Sequence, residues 1–154
     1  MNAAAALIGG LAGFAAWTIV AYSCHAVWPR RFTFNPLYFL GAAFTIETTA
    51  AYGLGLGVAL VVSEAYALLI GALAYAFDAG GTAWLLGAAA GSAMTVMSGS
   101  TLAYAGLLHR GVRSGLVGAP GPMAVRHGSA GVSALFGWHA MFGLMTGLVY
   151  GTLA

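Results

Sequence analysis

The sequence predicts an all-α fold, an integral membrane bundle of four transmembrane helices, and three observations carry this. The chain of 154 residues is 61% hydrophobic and 5% charged, with a mean hydropathy of +0.92, whereas soluble domains carry about 25% charged residues. Four apolar stretches are each long enough to cross the hydrocarbon core, which takes about 20 residues. All five arginines fall either between the first and second stretches or between the third and fourth. A chain that crosses four times places those two connections on one face, so the charge is segregated by side. Little chain is left over, and residues 1–154 read as one transmembrane domain.

The first helix covers residues 3–28, holds no Asp, Glu, Lys or Arg, and ends at Pro29-Arg30-Arg31. A secretory signal carries its positive charge before the apolar run. Here the charge follows, so the helix is read as retained. Residues 32–36 are a break, and residues 37–46 form an apolar run too short to cross, expected as an interfacial segment. Glu47-Thr48-Thr49 leads into the second helix, 50–77, with Glu64 near its middle. Asp78-Ala79-Gly80-Gly81 is a turn. The third helix, 82–108, is free of charge. Residues 109–129 form a loop with Arg110, Arg113, Arg126, His109, His127 and the Ala119-Pro120-Gly121-Pro122 break, and residues 130–154 form the fourth helix.

Positive charge is retained on the cytoplasmic side. This places both termini on the non-cytoplasmic face of a bacterial inner membrane. Arg30, Arg31, Arg110, Arg113 and Arg126 then lie at headgroup depth, suited to anionic lipid, with His109 and His127 solvated among them. A formal charge of +2 without any lysine is too small and too dispersed for nucleic acid. One cysteine, Cys24, excludes an internal disulfide and any Cys-pair metal motif. A shift of 75 residues sets Glu64 on His139, Leu69 on Leu144, Leu73 on Leu148 and Tyr75 on Tyr150. That pattern suits two helical hairpins repeated in parallel about an axis along the membrane normal.

Small residues recur every four positions. His139, Gly143, Gly147 and Gly151 make one stripe on the fourth helix, and Gly87 and Gly91 lead a stripe on the third through Thr95 and Gly99. The first helix has Gly9 and Gly13, the second Gly53 and Gly57. Such stripes allow helix backbones to approach closely in lipid. The four tryptophans, with many Phe and Tyr, point to apolar faces turned outward, toward lipid, other membrane subunits or a second copy.

Glu64 is the most informative single residue, since a carboxylate at mid-membrane is costly unless paired, wetted or protonated. Counted from the helix ends, His139 sits at similar depth. The two are expected to form a buried polar pair, either a clasp between helices or a proton relay. Ser63, Thr95, Ser98, Ser100 and Thr101 are available to extend a relay, although such hydroxyls often bond to their own helix. His139 also has the chemistry of an axial ligand for haem or a chlorophyll-type pigment, with room for a flat macrocycle beside Gly143. His25 is the available second ligand, though it lies about three residues from its helix end against about nine for His139, a mismatch of several ångströms at about 1.5 Å per residue. Cys24-His25 with Met94, Met97, Met141 and Met145 offers a soft-metal alternative such as copper, against the ordinary role of Met as core filler. No cofactor is expected on balance.

The last helix, with His139, Phe142-Gly143, Gly147 and Tyr150-Gly151, resembles the ending of certain small uncharacterised bacterial four-helix membrane proteins, and Gly10-x-x-Gly13 extends the likeness to the first helix. The resemblance implies four helices and a bacterial origin, and brings no chemistry with it. The expected function is therefore a non-catalytic accessory subunit of a larger bacterial membrane complex handling electron or proton transfer. A proton-linked channel, transporter or relay using Glu64 and His139 stays open beside it, as does a haem- or pigment-binding protein with His139 as ligand.

Overall fold

The computed structural model describes residues 1–27, 29–30 and 35–154. Trp28, at the expected end of the first helix, and Arg31, among the headgroup arginines, lie outside the described residues. The α-helices are α1 (Ala3–Val27), α2 (Pro36–Ala42), α3 (Thr48–Ala76), α4 (Ala83–Thr101), α5 (Ala105–Leu108), α6 (Arg110–Arg113) and α7 (Gly128–Leu153). There is no strand among the described residues. Four runs are long and apolar enough to cross a membrane: Ala3–Val27, Thr48–Ala76, Gly80–Leu108 and Pro122–Leu153. The chain is an all-helical, multi-pass membrane protein, as its composition requires.

Local chemistry sets the ends of these helices. Asn2 caps α1, its Oδ1 accepting the Ala5 N–H at 3.1 Å. α3 starts at Thr48, two residues before the expected start, because Glu47 caps it: its carboxylate accepts the Thr49 N–H at 2.9 Å and the Ala50 N–H. Those two bonds, with Ala50 foremost, hold the Glu47 carboxyl below the usual glutamate range. At the far end Asp78 takes a left-handed φ of 48°, and the Ala79 N–H reaches back to the Ala74 carbonyl at 2.8 Å. This is the six-to-one bond that closes a helix, with Asp in the place usually given to Gly. Residues expected as an open loop at 109–129 hold α6 and a 3-10 stretch, Pro122–His127, before α7 begins two residues early.

The chain divides into two compact units. The first contains Met1–Val20, Leu60–Met94 and Phe136–Ala154; the second contains Ala21–Ala59 and Thr95–Leu135. In the first, α4 and α7 meet backbone to backbone. A methyl added at Gly87 would overlap the Gly143 carbonyl oxygen, one at Gly143 the Gly87 oxygen, one at Gly91 the His139 oxygen, and one at Gly147 the Ala83 oxygen; at Gly151 it would lie 2.8 Å from the Gly80 oxygen. The five glycines read as packing residues all meet a neighbouring backbone. Ala5, Ala6, Ala74, Ala83 and Tyr150 make one apolar cluster, and Ile70, Met94 and Phe142 another, with Trp17 and Tyr66 against it. Asn2 Nδ2 donates to the Leu153 carbonyl at 3.3 Å and ties the start of α1 to the end of α7.

Three expectations change here. Tyr150 is 5% exposed and Tyr75 is 68% exposed, so the 75-residue shift does not set these two in like environments. Trp138 is buried, whereas Trp84 is exposed, so the tryptophans do not all face outward. Met94 fills the core beside Ile70 while Met97 faces out.

In the second unit, α2 is the short segment expected between the first two spans. It ends at Ala42, earlier than expected, and buries Pro36, Leu37, Phe39, Gly41 and Ala42. It lies on α3 through two glycines: a methyl at Gly41 would overlap the Ala51 carbonyl oxygen, and one at Gly55 the Leu37 oxygen. Gly53 and Gly57, the expected stripe on this helix, meet nothing within 4 Å. Gly99 continues the α4 stripe differently, under Met123 and Leu135.

Gly87→Ala should lower the thermal midpoint of the detergent-solubilised protein, by the equivalent of about 1–3 kcal/mol for an overpacked contact. Gly57→Ala should leave it unchanged or raise it, since Ala is the better helix former by about 1 kcal/mol. Equal effects of the two substitutions in a thermal-shift measurement would contradict the packing described.

Candidate functional site

The first unit gathers its polar groups on one face of α1. Along α3, Glu64, Ala67, Gly71 and Ala74 recur at helical spacing and form the side toward α1. A methyl at Gly10 would lie 2.7 Å from both Glu64 Oε2 and the Ala67 methyl, and one at Gly71 would lie 2.9 Å from Ala6. Along α7, Phe142 and Thr146 are one turn apart and meet Gly9 and Gly13. A methyl at Gly9 would be 2.7 Å from the Thr146 carbonyl oxygen; one at Gly13 would overlap Thr146 Oγ1 and lie 2.7 Å from the Phe142 oxygen. Gly9, Gly10 and Gly13 therefore bring the α1 backbone against a carboxylate from α3 and a hydroxyl from α7.

Neither group is satisfied. Glu64 is half-buried, yet Oε1 and Oε2 are both covered and have no hydrogen-bond partner among the described residues; the same holds for Thr146 Oγ1, on a side chain with 0% exposure. A buried hydroxyl without a partner costs about 1–3 kcal/mol and an unpaired charge far more. Three of the hydroxyls expected to extend a relay bond to their own helix: Ser98 Oγ donates to the Thr95 carbonyl at 3.5 Å, Ser100 to Val96 at 2.6 Å and Thr101 to Ser98 at 2.7 Å. Thr146 Oγ1 makes no such bond among the described residues, and its position within Gly143-x-x-Thr146-Gly147 is the sequence signal that marks it.

The expected Glu64–His139 hydrogen bond is not formed. Glu64 reaches the level of Gly10, and the α7 residue packed at that level is Thr146, seven residues and about 10 Å beyond His139 at 1.5 Å per residue. Glu64 is hydrogen-bonded neither to His139 nor to Thr146. The room expected for a macrocycle beside Gly143 is filled by the α4 backbone at Gly87 and Gly91. His25 belongs to the second unit and His139 to the first. Among the described residues, no three His, Cys, Asp or Glu side chains group as metal ligands.

His109 and Asn35, in the second unit, are satisfied instead. His109, expected among solvated side chains, is 8% exposed. Its Nδ1 accepts the Val112 N–H at 3.2 Å, which assigns the proton to Nε2, and Nε2 donates to the Phe39 carbonyl at 2.7 Å. The ring stacks on Phe39 with centroids 4.2 Å apart. One imidazole thus caps α6 and holds α2. Asn35 caps α2 by accepting the Tyr38 N–H at 3.1 Å, and it also accepts from Tyr22 and donates to Tyr52, both at 2.9 Å. Arg110 donates to the Phe44 carbonyl at 3.2 Å. Arg30, Arg110, Arg113 and Arg126 all belong to this unit and are exposed, as headgroup residues would be.

No protein-family model, curated protein or solved structure matches the chain at a significant level.

His109→Phe keeps the stack on Phe39 and removes both hydrogen bonds. It should cost about 1–3 kcal/mol, the penalty for orphaned buried partners. Limited proteolysis between residues 36 and 47 should become faster; an unchanged cleavage rate would show that the imidazole does not hold α2.

Proposed function

We propose that this is a proton-linked membrane protein in which Glu64 takes up and releases a proton within the bilayer. The observation that supports it is the pair of covered Glu64 oxygens with no hydrogen-bond partner among the described residues. A carboxylate kept at mid-membrane at such cost marks a functional position by default. A structural clasp would bond it to a neighbouring helix, as Asn35 is bonded in the second unit. The protein sits in a bacterial inner membrane with both termini on the non-cytoplasmic face. The arginine distribution supports that orientation, and the Asn2–Leu153 bond agrees with an even number of crossings. Reconstituted vesicles bearing a pH gradient should show protein-dependent proton flux, and Glu64→Gln should reduce it at least about tenfold, the scale of losing a general acid–base group. Flux unchanged in rate and pH dependence would overturn the reading.

A second reading makes the chain an accessory subunit of a larger membrane complex handling electron or proton transfer. It is favoured by the apolar exterior: Val61, Tyr75, Phe77, Leu107 and Leu108 are each at least 68% exposed, a surface that lipid or a neighbouring subunit covers. Mild-detergent extraction of native membranes should then recover the chain with stoichiometric partner subunits. Recovery of the chain alone would count against it.

A further inference from the structure

Arg110 and Arg113 differ from the other arginines in sharing one short, fixed base. They stand three apart on α6, a spacing that sets Cβ atoms about 5–6 Å from each other. α6 is pinned to α2 beneath them: His109 Nε2 donates to the Phe39 carbonyl at 2.7 Å, and a methyl added at Gly111 would lie 2.9 Å from the Ala42 carbonyl oxygen. Both arginines are exposed. Arg110 spends one of the several N–H donors of its guanidinium on the Phe44 carbonyl. Two like charges at this spacing repel each other. The sequence of the second unit has one acid to set against them, Glu47, and its carboxylate caps α3. Uncovered apolar surface adjoins the pair. Leu107 and Leu108, three and two positions before Arg110, are 72% and 79% exposed, and Phe44, whose carbonyl Arg110 reaches, is 58% exposed. The apolar run Gly80–Leu108 ends here, so the change from acyl chain to headgroup falls between Leu108 and Arg110.

We propose that the Arg110–Arg113 pair binds the phosphate of one anionic phospholipid, with Phe44, Leu107 and Leu108 against its acyl chains. The proposal is independent of the proton-linked reading of Glu64, and it narrows the headgroup contact expected of all five arginines to one pair on one turn. Guanidinium groups match phosphate oxygens through paired N–H bonds, and two of them side by side close on a single phosphodiester. A zwitterionic lipid brings an ammonium that calls for an acid beside the phosphate, and Glu47 is already engaged. A free phosphate would meet the arginines and leave the apolar side chains uncovered. The fixed base matters to affinity, because a turn already held by His109 has little order left to lose on binding.

The test is modification by phenylglyoxal, an uncharged reagent for arginine, read as the mass gained by each arginine peptide of the full chain in detergent. Phosphatidylglycerol should slow the modification of Arg110 and Arg113 about tenfold once it reaches about ten times its Kd. Arg126, whose side chain lies over Gly121, should react as before. Phosphatidylcholine and inorganic phosphate at the same concentration should protect neither member of the pair. In Arg113→Gln, an exposed position, Arg110 should lose its protection, and Arg113→Lys should keep part of it. Equal protection by phosphatidylcholine overturns the choice of an anionic lipid, and equal protection by inorganic phosphate overturns the lipid itself. Slowing of Arg126 to the same degree means a general attraction to charge and overturns the site. Protection of Arg110 that survives Arg113→Gln overturns the pair, and the wild-type comparison decides the site without any variant.

Discussion

The contact between α4 and α7 is made of backbone. In lipid there is no hydrophobic gain in bringing two apolar helices together, so association rests on contact area, on hydrogen bonds and on weak Cα–H···O contacts between close main chains. Gly87, Gly91, Gly143 and Gly147 supply that approach at successive turns. A repeat every four residues also fixes register, because a slip in either direction would put side chains such as Trp84 or Met145 where only glycine fits. α1 uses the same device against α7 at Gly9 and Gly13, and α2 uses it against α3 at Gly41 and Gly55. With register fixed this tightly, each polar side chain is carried to one place and cannot relax far from it.

The two units use that rigidity differently. In the second, two polar side chains are fully employed: His109 satisfies two backbone groups and Asn35 bridges two tyrosines while capping a helix. The result is stability in the unit that carries Arg30, Arg110, Arg113 and Arg126. In the first, Glu64 and Thr146 are held equally firmly and left unsatisfied. Tight packing around an unpaired carboxylate is costly for folding, and such costs concentrate where a protein does its work.

Spans and packing glycines were legible in the sequence because each depends on one-dimensional spacing. About 20 apolar residues make a crossing whatever surrounds them, and glycines four apart on helices three and four lie on one face whatever they meet. Azimuth was not legible. Gly53 and Gly57 have the same spacing as Gly87 and Gly91 but face open space, while Gly55, midway between them, takes the contact. Depth counted from helix ends paired Glu64 with His139, but the rotation and offset of α7 against α1 bring Thr146 to that level instead. His109 looked like a surface residue because its neighbours in sequence are arginines. Its burial comes from α2, a seven-residue helix whose fold-back no periodicity announces. The cap at Glu47 was written in the sequence as an acidic residue before two threonines, and it moved the start of α3 by one small step.

The seam between α1 and α7 joins residues more than a hundred positions apart, Gly9 and Gly13 with Thr146, and Asn2 with Leu153. During synthesis α1 enters the membrane before α7. Until α7 arrives, the face of α1 at Gly9 and Gly13 lacks the cover that Phe142 and Thr146 give it. A chain halted before α7 would leave that glycine face of α1 bare within the bilayer, which gives quality-control machinery a mark by which to tell unfinished protein from finished.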